Sequence, residues 1–254
     1  MKTYEGFLID LDGTMYRGKD EIKEATQFVQ QLKANGQPYL FVTNNSTKRP
    51  EEVAEKLASF GVPAGPEHIV TTSMATAQYM KERNQGKRVY FIGQAGLEHA
   101  LTSEGFEVTE ASPDYVVVGL DPEVTYEKLA IACLAVRKGA FFISTNSDRA
   151  LVTERGFLPG NGAITSVVEV STGQQPVYIG KPEAIIMEQA ISRMGLPKDK
   201  VLMIGDNYDT DIVAGIRAGV DTLLVHTGVT TAEHLKSVEV MPTWTATSLA
   251  NINI

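Results

Sequence analysis

Short apolar runs alternate with helical periodicity along most of the chain. The first run, Phe7–Ile9, is followed by apolar residues at helical spacing from Ile22 to Leu32 and then by a second run, Tyr39–Val42. Uninterrupted apolar runs of this length are typical of strands buried on both faces. A helix between two strands serves as a crossover that leaves the strands parallel. The N-terminal pattern therefore predicts a β-α-β unit.

The alternation continues to about residue 225. Further helices are predicted after Pro50, at 74–82, 97–104, 125–138 and 184–194, and after residue 211; further strands are predicted at Ile69–Thr72, Val89–Ile92, Tyr115–Val118, Phe141–Ile143, Val177–Ile179, Val201–Ile204 and Thr222–Val225. Strands that alternate with helices predict parallel sheets covered by helices on both faces. The predicted class is α/β.

A polar, glycine-containing stretch, Asn84–Lys87, is typical of a domain junction. Polar residues at strand ends occur before it and return after Val177, but they are sparser between. We therefore predict a core domain of residues 1–84 and 177–254, interrupted by a smaller α/β domain of residues 85–176. Within the insertion, three glycines and a proline in Gly156–Gly162 predict a mobile loop before a short helix.

Composition excludes several classes of function. The formal net charge of −8 disfavours nonspecific binding to nucleic acid or to anionic membranes. Apolar runs stay well below the length of a membrane span, and no signal-peptide pattern precedes the first strand, so we expect a cytoplasmic protein. The single cysteine, Cys133, excludes an internal disulfide, and the four histidines lack metal-ligand spacing.

Polar side chains that could bind a ligand or take part in catalysis follow four of the predicted strands. They are Asp10 and Asp12 with Gly13 next to them, Thr43-Asn44-Asn45-Ser46, Lys181, and Asp206 with Asn207 and Asp211. Ligands of open α/β sheets bind at the carboxyl ends of the strands. If the four strands are parallel neighbours, these side chains converge on one site.

These strand-end residues are the kinds that a site for phosphate monoester hydrolysis needs. Asp10 would attack phosphorus and form an aspartyl-phosphate, while Asp12 would protonate the leaving oxygen and later deprotonate water. Asp10, Asp206 and the main-chain carbonyl of Asp12 would bind Mg²⁺, which prefers oxygen ligands. Thr43 Oγ1, the main-chain N–H of Asn44 and the Lys181 ammonium would bind phosphate oxygens.

These motifs resemble those of haloacid dehalogenase superfamily phosphatases. The resemblance rests on D-x-D-G-T at Asp10–Thr14, the strand-end Thr43, Lys181, and G-D-x-x-x-T-D at Gly205–Asp211, and it covers the whole chain. Thr43-Asn44-Asn45-Ser46 and Gly180-Lys181-Pro182, with an α/β insertion between them, are similar to the class IIA, NagD-like or p-nitrophenylphosphatase-like branch.

That branch implies a Rossmann-like core and a C2-type cap that closes over the site and selects the substrate. It also implies that Asp10 is the nucleophile, Asp12 the acid and base, and Asp206 a metal ligand, with Thr43 to Asn45 and Lys181 on the phosphate. Dehalogenases of the superfamily lack an acid matching Asp12, which argues against carbon–halogen chemistry.

Each residue could also serve the fold alone. Lys181 by itself would be a solvated loop lysine, Thr43 a hydroxyl bonded to main chain, and Asp206 a helix cap. Asn207 and Asp211 are expected to support the metal site from behind the ligands. Their order and spacing together favour a phosphatase acting on small metabolites such as sugar phosphates or nucleoside monophosphates.

Two alternatives remain open from the sequence. One is a non-catalytic sensor of a phosphorylated ligand on the same fold, and the other is a phosphomutase, which returns phosphate to its substrate. Cap residues would select the leaving group, and the candidates are Asn146, Asp148 and Pro159–Gly162. The oligomeric state is left open, with a homodimer as one arrangement.

Overall fold

The computed structural model describes residues 2–252, apart from the side chain of Asn251. The strands are β1 (Gly6–Ile9), β2 (Tyr16–Arg17), β3 (Asp20–Glu21), β4 (Tyr39–Thr43), β5 (Ile69–Thr71), β6 (Arg88–Ile92), β7 (Glu107–Val108), β8 (Tyr115–Val118), β9 (Phe141–Ser144), β10 (Ala150–Thr153), β11 (Gly156–Pro159), β12 (Val177–Tyr178), β13 (Val201–Gly205), β14 (Asp221–Val225) and β15 (Trp244–Ala246).

Helices separate most of these strands. They are α1 (Lys23–Ala34), α2 (Pro50–Ser59), α3 (Thr72–Arg83), α4 (Ala95–Ser103), α5 (Tyr126–Arg137), α6 (Asn161–Thr172), α7 (Ala184–Met194), α8 (Val213–Ala218) and α9 (Ala232–Leu235), and a π-helical turn, Tyr208–Ile212, precedes α8. The α/β class and the predicted alternation of strands and helices are confirmed. Between residues 2 and 252, none of the helices combines the length and apolarity that a membrane crossing requires.

The chain divides into two compact units. The first comprises the residues up to 43, residues 50–70 and those from 181 onward, and the second comprises residues 44–49 and 71–180. These bounds differ from the predicted core and insertion at three places. Residues 44–49 and helix α3 belong to the second unit, and so does β12, because it pairs in parallel with β9. The assignment of core and cap roles remains a prediction.

The first unit is built on a six-stranded sheet in the order β15-β14-β13-β1-β4-β5. Strand β1 pairs in parallel with β13 on one side and with β4 on the other, as predicted for the opening β-α-β unit. Phe7 and Ile9 are fully buried on β1, and the ring of Phe7 meets that of Phe28 on α1 edge to face, with centroids 5.8 Å apart. Leu8, which points to the opposite face of the sheet, is also fully buried, so burial on both faces fixes the strand whose end carries Asp10.

The second unit has a five-stranded parallel sheet in the order β12-β9-β8-β6-β7. Its core includes Val116 and Val118 on β8, Phe142 on β9 and Val168 on α6. The mobile loop predicted at 156–162 is wrong. Residues 150–153 and 156–159 form an antiparallel hairpin, and α6 begins at Asn161. The glycines mark the turn and the start of the helix, while Leu151 and Leu158 face each other across the hairpin.

Candidate active site

The ammonium group of Lys181 lies among carboxylates in the first unit. Its Nζ donates hydrogen bonds to Asp10 Oδ1 at 2.5 Å, to Asp211 Oδ1 at 2.7 Å and to the carbonyl of Val42 at 2.9 Å. The side chain is buried. Burial lowers the pKa of Lys181, but Asp10 and Asp211 outweigh this effect and raise it above its ordinary value. The lysine therefore remains charged throughout the range in which proteins fold.

Parallel pairing places Asp10 beside the ends of two other strands. Asp10 follows β1, Thr43 ends β4 and Asp206 follows β13, and these three strands are neighbours in the sheet. The Asp10 N–H continues the ladder by donating to the carbonyl of Ile204 at 2.9 Å. The predicted convergence at the carboxyl edge of the sheet is thus present for these three residues.

Lys181 reaches the cluster by a different route from the one predicted. The strand before it, β12, belongs to the sheet of the second unit, so Lys181 is not at the end of a core strand. It lies instead in the segment between that strand and α7. The error came from treating all four apolar runs as neighbours in one sheet, although strand order cannot be read from an apolar run alone.

Asp211 is closer to the centre than the sequence indicated. It comes from the π-helical turn Tyr208–Ile212, and its Oδ2 accepts a hydrogen bond of 3.1 Å from the Asn207 N–H while Oδ1 accepts from Lys181. Asn207 caps the same turn, since its Oδ1 accepts from the Asp209 N–H at 3.1 Å. Asn207 therefore shapes the turn, and Asp211 contributes its charge directly to the buried cluster.

The carboxylate of Asp206 is held on several sides. Oδ1 accepts from Thr14 Oγ1 at 3.1 Å, and Oδ2 accepts from the Val229 N–H at 2.8 Å. A Cβ at Gly228 would lie 1.9 Å from Asp206 Oδ2, and one at Gly13, where φ is +91°, would lie 2.4 Å from it. Only glycine at these two positions leaves room for the carboxylate.

The residues Thr227 to Thr230 form a part of the site that the sequence reasoning missed. This loop follows β14, a neighbour of β13 in the sheet. Its Thr230 N–H donates to the carbonyl of Asp206 at 3.1 Å. The rule that identified the other strand ends, a polar and glycine-containing segment after a buried strand, would have identified this one too.

The three carboxylates of Asp10, Asp206 and Asp211 lie close enough together to hold a cation. One oxygen each from Asp10, Asp206 and Asp211 lies within 4.8 Å of the others, and all three residues are buried. Burial and the nearby Asp211 carboxylate raise the pKa of Asp10 well above its usual range, and the same two causes raise that of Asp206 to about 6. When ionised, three carboxylates exceed the single Lys181 charge by two negative charges. This all-oxygen donor set fits a divalent cation such as Mg²⁺.

Asp12 differs from Asp10 in its environment. Asp10 is buried and Asp12 is exposed, although only Leu11 separates them. The turn beyond Asp12 is closed by the Gly13 N–H, which donates to the carbonyl of Tyr16 at 2.8 Å. Burial, together with the charges of Asp12 and Asp10, raises the pKa of Tyr16. A solvated carboxylate close to a buried one is suited to exchanging protons with water.

The three predicted phosphate ligands at the end of β4 and directly after it are assigned to different units. Thr43 is buried in the first, whereas Asn44 and Asn45 belong to the second. The side-chain oxygen of Asn45 accepts from the N–H groups of Thr47 at 3.0 Å and Lys48 at 2.9 Å. That oxygen closes a turn, and the groups of Asn45 that could donate to a phosphate oxygen are its Nδ2 and its main-chain N–H.

Comparisons with known proteins agree with this geometry. The sequence models described as haloacid dehalogenase-like hydrolase and HAD-hydrolase-like match residues 7–107 and 178–252. The 5′-nucleotidase YutF of Bacillus subtilis is 57% identical over 98% of this chain and 97% of its own length, and an acid sugar phosphatase of Staphylococcus aureus is 56% identical over 96% and 95%.

The structural relatives include a single-site variant of thermostable p-nitrophenylphosphatase from Bacillus stearothermophilus. It superimposes with a TM-score of 0.91 at 57% identity, covering 100% of this chain and 99% of that one. The curated relatives and the solved structure therefore agree over nearly the whole length, and the family models agree with them over residues 7–107 and 178–252. The chain belongs to the haloacid dehalogenase-like hydrolases and is a phosphatase of their class IIA branch.

Proposed function

We propose that this chain is a Mg²⁺-dependent phosphatase that hydrolyses small phosphate monoesters through an aspartyl-phosphate on Asp10. The observation that carries the proposal is the buried contact between Lys181 and Asp10, 2.5 Å apart, within a cluster of three carboxylates. A cation beside the proposed nucleophile favours its ionised form, against the effects of burial and Asp211 that raise its pKa, and attracts the phosphate dianion to it.

In the first half-reaction, a carboxylate oxygen of Asp10 attacks phosphorus, and the bond from phosphorus to the ester oxygen breaks. Asp12, protonated at this stage, gives its proton to the departing alkoxide, so the alcohol leaves neutral. Lys181 and Thr43 donate hydrogen bonds to phosphoryl oxygens and offset the charge that accumulates there.

In the second half-reaction, Asp12 accepts a proton from a water molecule as that water attacks phosphorus. The bond between Asp10 and phosphorus breaks, and inorganic phosphate is released with Asp10 again ionised. Asp12 suits both steps because it is exposed to solvent, unlike the buried Asp10.

Asp10, Asp206 and the main-chain carbonyl of Asp12 would hold Mg²⁺, which when bound supplies positive charge to the transferred phosphoryl group. Asp206 is preorganised for this by Thr14 and by the Val229 N–H. Asp211 keeps Lys181 in place by accepting one of its hydrogen bonds.

The substrate class follows from the relatives. Their names specify a 5′-nucleotidase and an acid sugar phosphatase, so we infer that this chain acts on nucleoside monophosphates, sugar phosphates or similar esters. The proposal retains the predicted roles of a core and a substrate-selecting cap and assigns them to the first and the second compact unit.

The test uses p-nitrophenyl phosphate, a chelator and the variant Asp10→Asn. Wild type should release p-nitrophenol and free phosphate in equal amounts with Mg²⁺, lose activity with EDTA and regain it when Mg²⁺ is restored. Asp10→Asn should be inactive. If neither wild type nor Asp10→Asn shows any turnover, the protein is a sensor and not an enzyme. If ester is consumed without release of free phosphate, it is a mutase.

A further inference from the structure

The segment that follows Thr43 is bonded to the turn at the end of β9, within the second unit. Asn146 Nδ2 donates to the main-chain carbonyl of Asn44 at 2.9 Å, and Asn44 Nδ2 donates to Asp148 Oδ1 at 3.1 Å. Asn44 is thus held through both its main chain and its side chain. The sequence had suggested a different role for Asn146 and Asp148, the selection of the leaving group.

The turn that holds Asn44 is itself rigid. The carbonyl of Asn146 accepts from Ser144 Oγ at 2.9 Å and from Asn161 Nδ2 at 2.8 Å, and both donors are buried. Asn146 Oδ1 accepts from the Asp148 N–H at 3.0 Å. Asn146 therefore uses one end of its amide to close its own turn and the other end to hold Asn44.

Glycine allows the close approach on another side of Asn44. A Cβ at Gly180 would lie 2.6 Å from Asn44 Oδ1 and 2.8 Å from the carbonyl of Thr145. The Asn44 side chain is accordingly confined between Gly180 and Asp148. A side chain with so little freedom keeps its main chain in one conformation.

The contacts with the Asn44 carbonyl orient the next N–H. Thr72 Oγ1, buried at the start of α3, lies 3.0 Å from this carbonyl in addition to Asn146. The carbonyl of Asn44 and the N–H of Asn45 belong to one planar trans peptide group and point in opposite directions. Fixing the carbonyl with two donors therefore fixes the direction of the Asn45 N–H.

We propose that Asn146 and Asp148 are positioning residues that fix the Asn44 and Asn45 N–H groups for phosphate binding. This inference rests on the proposed function and on the prediction that Asn44 and Asn45 bind the phosphoryl oxygens. It assigns to the turn after β9 a role toward the phosphate that all substrates share. The part of the substrate that differs between esters is then recognised elsewhere.

Inorganic phosphate distinguishes a role in phosphate binding from a role in selecting the leaving group, because it has no leaving group. The experiment measures its inhibition constant at saturating Mg²⁺, together with kcat/KM for p-nitrophenyl phosphate and for a nucleoside monophosphate, in wild type and Asp148→Ala. A hydrogen bond of this kind changes binding by roughly tenfold. We expect the inhibition constant to rise, and kcat/KM for each of the two esters to fall, by about that common factor.

Conservative variants sharpen the result. Asp148→Asn keeps an Oδ1 acceptor for Asn44 and should restore most of the phosphate affinity. Asn146→Asp keeps the acceptor for the Asp148 N–H but sets an oxygen against the Asn44 carbonyl, so it should weaken phosphate binding more than Asp148→Ala does. Glu98→Ala, an exposed acid-to-alanine change on α4, is the matched control and should leave all three quantities unchanged.

An unchanged inhibition constant in Asp148→Ala, with kcat/KM altered for one ester and not the other, would overturn the inference and return the residue to leaving-group selection. Should Asp148→Ala fail to fold, Thr72→Val removes a different contact with Asn44, the hydroxyl donor to its carbonyl, and it too must raise the inhibition constant. If wild type fails to hydrolyse either ester with Mg²⁺, the proposed function has failed, whatever the variants do.

Discussion

Thr227 and Gly13, 214 residues apart in the chain, are joined by a hydrogen bond of 2.7 Å from the threonine hydroxyl to the glycine carbonyl. Arg17 Nε strengthens the connection by donating to the Thr227 carbonyl at 2.6 Å. Gly13 and Gly228 both lie directly against the carboxylate of Asp206, with no room for a Cβ between them and it. The loop after β14 and the turn after β1 therefore set the position of the proposed metal ligand together.

Replacing Thr227 by valine should weaken Mg²⁺ activation. The change removes the hydroxyl donor while keeping the branched shape, so the Gly13 carbonyl loses a partner that is worth about 1 kcal/mol. We expect the Mg²⁺ concentration for half-maximal activity to rise roughly fivefold. Thr227→Ser retains the donor and should resemble wild type in the same titration.

Gly228→Ala should be more damaging. The added Cβ would overlap Asp206 Oδ2 at 1.9 Å, so the carboxylate has to move. We expect Mg²⁺-dependent activity to fall by about 100-fold or more, because a shift of about 1 Å in a group of the site can cost that much. Gly219→Ala is the control: that glycine has φ of +75° and open space around it, so alanine there should reduce stability by about 1 kcal/mol and leave kcat/KM unaltered.

Lys181→Met should lower the thermal stability of the protein and make that stability more dependent on Mg²⁺. Without the ammonium, Asp10 and Asp211 lose their buried partner, and breaking such a pair costs about 3–5 kcal/mol. Thermal unfolding in EDTA should show a strongly lowered Tm, and Mg²⁺ should raise the Tm of the variant more than that of wild type. Lys200→Met, which removes a partly exposed pair with Glu5, should change Tm little in either buffer. If Mg²⁺ raises the Tm of wild type and of Lys181→Met by the same amount, Lys181 and Mg²⁺ do not offset the charge of the same carboxylates, and the prediction is wrong.

Acid should remove a stabilising contact at Asp114. Hydrogen bonds from the Arg88 side chain and main chain lower the pKa of this carboxyl in the folded protein. A lowered folded-state pKa gives stability that is present above the unfolded-state pKa and is lost as pH falls through the folded-state value. The difference in free energy of unfolding between wild type and Asp114→Asn should be constant from pH 7 to about 4.5 and shrink below about pH 4. Urea unfolding at several pH values measures it, and a difference that grows with acidity would contradict the assignment.

Local rules located polar residues at strand ends better than they located the partners of each strand. Asp10, Thr43 and Asp206 could be identified because a polar residue directly after a buried apolar run marks the end of a strand, and parallel strands bring such ends together. Asp211 was placed too far from the centre, since its π-helical turn has no recognisable sequence pattern and a helix cap looks the same in sequence.

The errors arose where tertiary contacts override local pattern. The hairpin at 150–159 was taken for a mobile loop because its glycines and proline are equally common in turns between strands. The strand before Lys181 was assigned to the wrong sheet, since β12 has only two residues and its partner is β9, more than thirty positions earlier. Asn146 and Asp148 could be singled out from sequence, but their bonds to Asn44 depend on folding of the second unit.

The order of strands in the first sheet has a consequence for biosynthesis. Strand β1 is translated well before β13, one of its two neighbours in the sheet. Lys181, which contacts Asp10, follows it in the chain by 171 residues. The nascent polypeptide therefore carries the proposed nucleophile long before the lysine that accompanies it in the fold, and the cluster can assemble only after residue 211 has been translated.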